Sequence, residues 1–371
     1  MYLLTQLMRV GTILYLMALT VHTLFGWDLV LIIMFTGALV ALYSVLGGIQ
    51  AVVWTDAIQG ILLICGAILT VCFIFLGMPE GPGQIIQIAG EHGKFSLGSF
   101  NVDLGTSTFW VVLVYGIFIN LQNFGIDQNY IQRYMASRSD RAAKRSALSG
   151  GLLYIPVSLL FLLIGTSLFS YYSAGAALLP EELQDVNRAD QIFPHFIVTQ
   201  LPAGIAGLLI ASIFAAGMST ISTSFNSSAT VFLTDYYRKF GKKEQSEKES
   251  MKVLYLSSVV ISILGILIAL AMINVKSALD AWWKLASIFS GGMLGLFLLG
   301  AFARFSSSKG AVIGVILGIA FIAWMSLSSL ADDPSRYGNI FHSYLTIVFG
   351  TLAIFMAGFL VSYLSARPKD Q

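Results

Sequence analysis

Between Ala215 and Thr230 the chain reads Ala-Ala-Gly-Met-Ser-Thr-Ile-Ser-Thr-Ser-Phe-Asn-Ser-Ser-Ala-Thr. Helix propensity does not select such a density of hydroxyls inside an apolar run. On a helix Ala216, Ser219, Thr220 and Thr223 share one face by their i, i+3, i+4, i+7 spacing, and Ser222 widens it to one side. Hydroxyl and carbonyl oxygens are hard ligands suited to an alkali cation, and a Ser or Thr that also bonds the carbonyl four residues back loosens it for coordination. A second reading is open on spacing alone, in which the same hydroxyls bond across helix interfaces for about 0.6 kcal/mol each.

Asp56 is the sharpest charged position. It follows Gly47-Gly-Ile-Gln-Ala-Val-Val-Trp-Thr and precedes Gln59, so a continuous helix from Gly48 carries it about 12 Å inward. An ionisable group at mid-span costs about 2.5 to 3.5 kcal/mol on insertion scales, which a cation partner would justify. The competing reading has Thr55 or Asp56 capping a helix that starts late, with Trp54 at the membrane interface. A third feature is Phe118-Ile-Asn-Leu-Gln-Asn-Phe-Gly-Ile-Asp-Gln128, where Asn120, Gln122 and Asn123 interrupt an apolar run ahead of Gly125 and Asp127. Either a broken helix lines a solute path here, since exposed backbone at membrane depth is tolerated only along a cavity, or the span ends early with a polar exit.

Other chemistries find little support. His22, His92, His195 and His342 are scattered with no HExxH, cysteine pair or acidic cluster beside them, which argues against a metal centre. No phosphate loop is present, Gly217-Met-Ser-Thr-Ile221 lacks the closing glycine of a nucleophile elbow, and Asn226-Ser-Ser228 is a glycosylation sequon in form only. Cys65 and Cys72 stand about two turns apart on one run, too far for a mutual disulfide. A membrane-embedded enzyme and a non-transporting solute sensor are therefore the weaker function classes.

The elements that must position these residues are set by composition. Of 371 residues 57% are hydrophobic and 11% charged, and the mean hydropathy is +0.81. The solvent for such a chain is lipid, and a net charge of +2 gives no support for a nucleic-acid partner. Runs long enough to cross a bilayer fall at 7–26, 27–47, 50–77, 107–127, 147–172, 200–235, 251–274, 279–303, 310–330 and 342–365. Lipid cannot satisfy backbone groups, so these about ten transmembrane spans are helices of an all-α bundle, and their length excludes a β-barrel. The run 200–235 exceeds one upright crossing, and tilt is the favoured explanation.

Arg133, Arg138, Arg141, Lys144 and Arg145 follow the fourth run, Arg238, Lys239, Lys242 and Lys243 the sixth, and Arg367 and Lys369 the last. Positive-inside bias puts these, with Arg9, Arg304 and Lys309, in the cytoplasm, together with both chain ends, and leaves loops 78–106 and 173–199 outside. Gly47-Gly48, Gly291-Gly292 and Gly295 fit close helix packing through small residues.

Three motifs now coincide: Gly47-Gly-Ile-Gln-Ala-Val-Val-Trp-Thr-Asp56 with Gln59, Asp127-Gln-Asn-Tyr-Ile-Gln-Arg-Tyr134, and Ser219 to Asp235. In this order and placement they closely resemble the sodium/solute symporter family over essentially the whole chain. The resemblance implies one transmembrane transporter domain over 1–371, of the inverted five-plus-five helix type, in a plasma membrane. It also implies alternating access driven by sodium, with no cofactor beyond that coupling ion. Carried over, the main sodium site takes the Ala216 carbonyl with the Ser219 and Thr220 hydroxyls. A second takes Asp56 with Ser219, Ser222 and Thr223. Asn120 and Asn123 match positions lining the solute cavity or its inner gate.

Sugar-transporting members usually carry an aromatic where Asn123 stands. That departure, with the Asp-Gln-x3-Gln-Arg-Tyr pattern and Ser290 to Gly300, favours an organic anion such as sialic acid or a monocarboxylate over a hexose, with vitamins and iodide in the same branch. The chain opens at what resembles the third core helix. The expectation is that it lacks part of the main cation site and transports poorly alone.

Overall fold

The computed structural model describes residues 2–241, 246–275, 292–303, 307–329 and 339–366; the side chains of residues 43, 46–56, 186, 187, 329 and 366 lie outside that description. Among the described residues every regular element is helical: α1 (Tyr2–Phe25), α2 (Leu29–Leu76), α3 (Gly83–Glu91), α4 (Phe109–Ile126), α5 (Gln128–Met135), α6 (Asp140–Ser173) and α7 (Ile192–Gln200) come first. They are followed by α8 (Ala203–Val231), a π-helical turn at Phe232–Tyr237 running into α9 (Arg238–Phe240), and α10 (Glu247–Ala271). The chain continues through α11 (Gly292–Phe302), α12 (Ser308–Ser329) and α13 (Leu345–Ala366).

Side-chain caps set the starts. Asp28 accepts the Leu31 amide at 2.9 Å ahead of α2, Thr108 accepts Val111 ahead of α4 and Ser139 accepts Ala142 ahead of α6. At α10 Ser246 and Glu249 form a reciprocal capping box.

Eight helices among the described residues are long and apolar enough to cross a membrane. Where the sequence separates 27–47 from 50–77, the backbone is one helical run of 48 residues. No proline stops it, and Gly47-Gly48 costs a helix only about 1 kcal/mol per glycine. At about 72 Å it is more than twice the depth of a hydrocarbon core. It is not one straight rod. Gly66 lies against Leu209, while Thr36 shares a groove with Phe214. These α8 positions are about 7.5 Å apart along their axis, against about 45 Å between Thr36 and Gly66 along α2. The sixth run extends from α8 through the π-helical turn to Phe240, 38 residues in all. Of the run 279–303 only the α11 part is described, and Gly291 and Arg304 lie outside the described residues.

The chain divides into two compact units. The larger comprises Arg9–Ser96 and Ser137–Leu279. In it α1, α2, α8 and α10 approach through single glycines that each receive a larger side chain: Gly11 against Ile268, Gly37 against Ile266, Gly265 against Val10, and Gly217 against Met17. Lipid tails are as apolar as leucine, so such close packing, rather than escape from water, holds spans together. Outside the spans water supplies the drive. There Ile85 of α3 and Phe196 and Ile197 of α7 are buried with Ile74, Leu168 and Tyr171, each worth about 1.5 to 3 kcal/mol.

The smaller unit, Met1–Met8, Leu97–Ala136 and Asp280–Gln371, packs α4, α12 and α13. Val111, Tyr115 and Ile119 of α4 meet Met325 of α12 and Leu345 and Val348 of α13. Gly310, Gly314 and Gly318 recur every four residues along α12 and face Gly358, Ile354 and Ser362 of α13. A Cβ at Gly314 would lie 2.8 Å from the Ile354 carbonyl oxygen. Gly295 of α11 sits closer still to the Thr351 backbone, where a Cβ would lie 2.5 Å from its carbonyl oxygen.

Candidate functional site

Helix α8 brings Ala216, Ser219, Thr220, Ser222 and Thr223 together on neighbouring turns. Each hydroxyl whose bond is resolved donates to a carbonyl of its own helix. Thr220 Oγ1 donates to the Ala216 carbonyl at 3.0 Å, and the Ser219 carbonyl accepts both Ser222 Oγ at 3.0 Å and Thr223 Oγ1 at 2.9 Å. With its proton committed to the helix, a hydroxyl offers only lone pairs outward. The Thr220 and Ala216 oxygens, 3.0 Å apart, are close enough to enter one cation's shell. The i−4 bond also draws hydrogen-bonding strength from the regular helix ladder at that carbonyl.

The face is not uniform. Ser222 is fully buried, whereas Ala216, Ser219, Thr220 and Thr223 keep part of their surface open. Beside it, Gly217 admits Met17 of α1. On the opposite side of α8, Phe214 and Met218 line an apolar groove of about 800 Å3 with Val21, Leu31 and Phe35. Further along α8 the oxygens of Ser224 and Ser228 and the amide nitrogen of Asn226, which continues the Ser219–Thr223 face, are buried without a hydrogen-bond partner among the described residues. The sequence does signal these polar residues, but spacing alone does not say which of them are enclosed. The side chains of Asp56, Trp54 and Thr55 lie outside the described residues, but the backbone runs through them as one helix capped at Asp28, so no helix starts at Thr55 or Asp56 for either to cap.

The interrupted segment breaks at Asp127. Helix α4 ends at Ile126, Asp127 adopts an extended backbone with φ −69° and ψ 124°, and α5 begins at Gln128. The polar triplet itself stays helical, and the interruption falls just after it, at Asp127. Asn120 is exposed and donates to the Gly116 carbonyl at 2.8 Å. Asn123 is half-buried, and the enclosed member of the triplet is Gln122. Both asparagines belong to the smaller unit, while the hydroxyl face belongs to the larger.

Asp127 itself is a hub that residue spacing left without a role. Its carboxylate accepts the Asn129 amide at 2.8 Å and the Tyr2 hydroxyl at 3.4 Å, and Asn129 donates to Gln6 Oε1 at 3.3 Å. Gln6, Asp127 and Asn129 are all buried. The polar start of α5 is thus tied to the first turns of α1, across more than 120 residues of sequence.

Residues 2–318 match the model of the sodium:solute symporter family. The chain belongs to that family. It is 33% identical to the sodium/sialic acid symporter of Proteus mirabilis over all of this chain and 72% of the relative. It is 31% identical to the sodium/sialic acid symporter of Aliivibrio fischeri over 97% of this chain and 69% of the relative. The solved structure of a substrate-bound, outward-open Na+-coupled sialic acid symporter superposes with a TM-score of 0.86 at 33% identity, over 98% of this chain and 72% of that one. This member of the sodium:solute symporters is accordingly a multi-pass, sodium-coupled transporter with the family's helical fold, and not an enzyme.

Proposed function

We propose that this symporter imports a small organic anion of the sialic acid class, drawn inward by sodium bound on α8. The observation that carries the reading is the Thr220 hydroxyl and Ala216 carbonyl pair at 3.0 Å, on two half-buried residues next to Ser219. The main sodium takes those three oxygens. A second sodium takes Asp56, Ser219, Ser222 and Thr223, and Asn120 and Asn123 of α4 serve the solute or its inner gate. The whole chain works as one transporter domain of a plasma membrane, with its described basic ends, such as Arg238 and Lys239, in the cytoplasm. Two relatives that carry sialic acid by name support the solute class.

Sodium acts by differential affinity: it stabilises the access state in which the α8 oxygens converge, and the solute is bound more tightly in that state. The test is uptake of labelled sialic acid, a monocarboxylate and a hexose into proteoliposomes, with an inward sodium gradient or with choline in its place. Both this chain and a chimera carrying the upstream region of the Proteus mirabilis relative are measured. Accumulation of sialic acid that requires sodium is the expected result. Uptake indifferent to sodium, or a preference for the hexose, would overturn the proposal.

A further inference from the structure

The first turns of α6 carry Arg141, Lys144 and Arg145 on one face, with Arg138 just ahead of them. All four are exposed, and among the described residues none has a carboxylate within ion-pair distance. Asp140 opens α6 as the single carboxylate beside four cations, whereas at the start of α10 Lys248 and Lys252 alternate with Glu247 and Glu249.

Below this cluster the same face turns apolar without losing register. Positions 145, 148, 152, 155, 159 and 162 follow one another by alternate steps of three and four, the spacing of a single helix face. Leu148, Leu152, Ile155, Leu159 and Leu162 are 66%, 58%, 57%, 61% and 68% exposed. Packing is carried by the later turns of α6, through Ile164, Leu168 and Tyr171 in the buried cluster with α2 and α3, while along the stripe Leu153 and Tyr154 on the other faces are also open, at 55% and 58%. From Leu148 to Leu159 the stripe is about 16 Å long at 1.5 Å per residue, which is half of a roughly 30 Å hydrocarbon core. It therefore matches one leaflet, with the cations at its headgroup edge.

We propose that this face of α6 holds an anionic phospholipid, its phosphate gripped by Arg141, Lys144 and Arg145 and one acyl chain lying along Leu148 to Leu159. The charge complementarity is specific: guanidinium forks bond phosphate oxygens bidentately, a zwitterionic headgroup offsets the attraction with its own cation, and juxtamembrane basic clusters select anionic lipid. A free phosphate would gain nothing from the apolar stripe.

The experiment is native mass spectrometry of the purified full chain equilibrated with phosphatidylglycerol and phosphatidylcholine of identical acyl chains. Phosphatidylglycerol should be retained in preference. The variant carrying Arg141→Gln, Lys144→Gln and Arg145→Gln should lose that preference by about tenfold. The pair Lys248→Gln and Lys252→Gln on α10 should leave it unchanged, and soluble glycerol phosphate should not compete. Circular dichroism checks that the triple variant keeps its helix. A spin label on Leu152→Cys, in a chain also carrying Cys65→Ser and Cys72→Ser so that position 152 alone is labelled, is read against lipid-soluble oxygen; it tests the stripe directly and should report full contact with lipid. Equal retention by the triple variant, or a label shielded from oxygen because a protein segment covers the stripe, would overturn the proposal.

Discussion

At Thr220 the hydroxyl's proton is already committed to the Ala216 carbonyl, so what a cation gains from this residue is an oxygen lone pair and nothing else. Thr220→Ala should raise the half-saturating sodium concentration for uptake at least tenfold, whereas Thr220→Ser, which keeps the oxygen, should stay within about threefold, each tenfold step being about 1.4 kcal/mol. Sodium titration of uptake separates the two, and an unaltered sodium curve for Thr220→Ala would remove Thr220 from the site. Asp127 makes a different kind of prediction. It caps α5 and anchors Tyr2 and Asn129, so Asp127→Ala should destabilise the protein by about 1 to 2 kcal/mol, while Asp127→Asn keeps the cap and costs less. Thermal unfolding in detergent compares them.

His195, on α7 outside the spans, has its pKa lowered by burial. Its folded value therefore lies below the unfolded value of about 6.5, and the unfolded chain binds its proton first as pH falls. The stability this group leaves intact above about pH 6.5 is lost as pH drops through its folded value. Melting temperatures should decline across that window, and His195→Gln should flatten the decline. An identical pH profile in the variant would sink the assignment.

Among the elements, α12 and α13 show how lipid changes the rules of packing. In water an interface is driven by burying large apolar side chains, but between spans the partner must come close enough for dispersion to beat the lipid it displaces. Gly310, Gly314 and Gly318 supply that approach. A Cβ at Gly314 would meet the Ile354 carbonyl oxygen at 2.8 Å and the Gly358 Cα at 2.9 Å, both backbone atoms that no rotamer change can move aside. Gly314→Val should cost about 1 to 3 kcal/mol as overpacking, whereas Gly116→Ala on α4, with open space around its Cβ, should be neutral or slightly stabilising through helix propensity. Unfolding midpoints of the two variants decide between a packing role and mere tolerance of glycine. The π-helical turn at Phe232–Tyr237 belongs to this scale too, because it resets the register of α8 between the hydroxyl face and the basic end at Arg238 and Lys239.

For the molecule as a whole, side chains such as Leu76 at 81% and Leu162 at 68% exposed make sense only in a bilayer. A ligand that binds the folded state alone stabilises it by mass action, by about 2.7 kcal/mol at a hundred times its dissociation constant. If α8 holds sodium, the melting temperature in sodium should exceed that in choline at equal ionic strength, and Thr220→Ala should shrink the difference to what the second site supplies. A sodium effect undiminished in Thr220→Ala would move the main cation elsewhere in the chain.

Hydropathy by itself determined that this is a multi-pass helical protein, because a span must satisfy its own backbone and so declares itself in consecutive apolar residues. The 3.6-residue period likewise determined that Ala216, Ser219, Thr220 and Thr223 share a face, since local backbone geometry admits nothing else. The packed structure alone decided which of those oxygens are open. Ser222 is sealed while Thr220 is not, and that depends on side chains arriving from distant elements, as Met17 arrives at Gly217. It also decided that α4 breaks at Asp127 rather than at its asparagines, and that Asp127 answers to Tyr2 across 125 residues. Secondary structure is dictated by neighbours in sequence, and burial by neighbours in space.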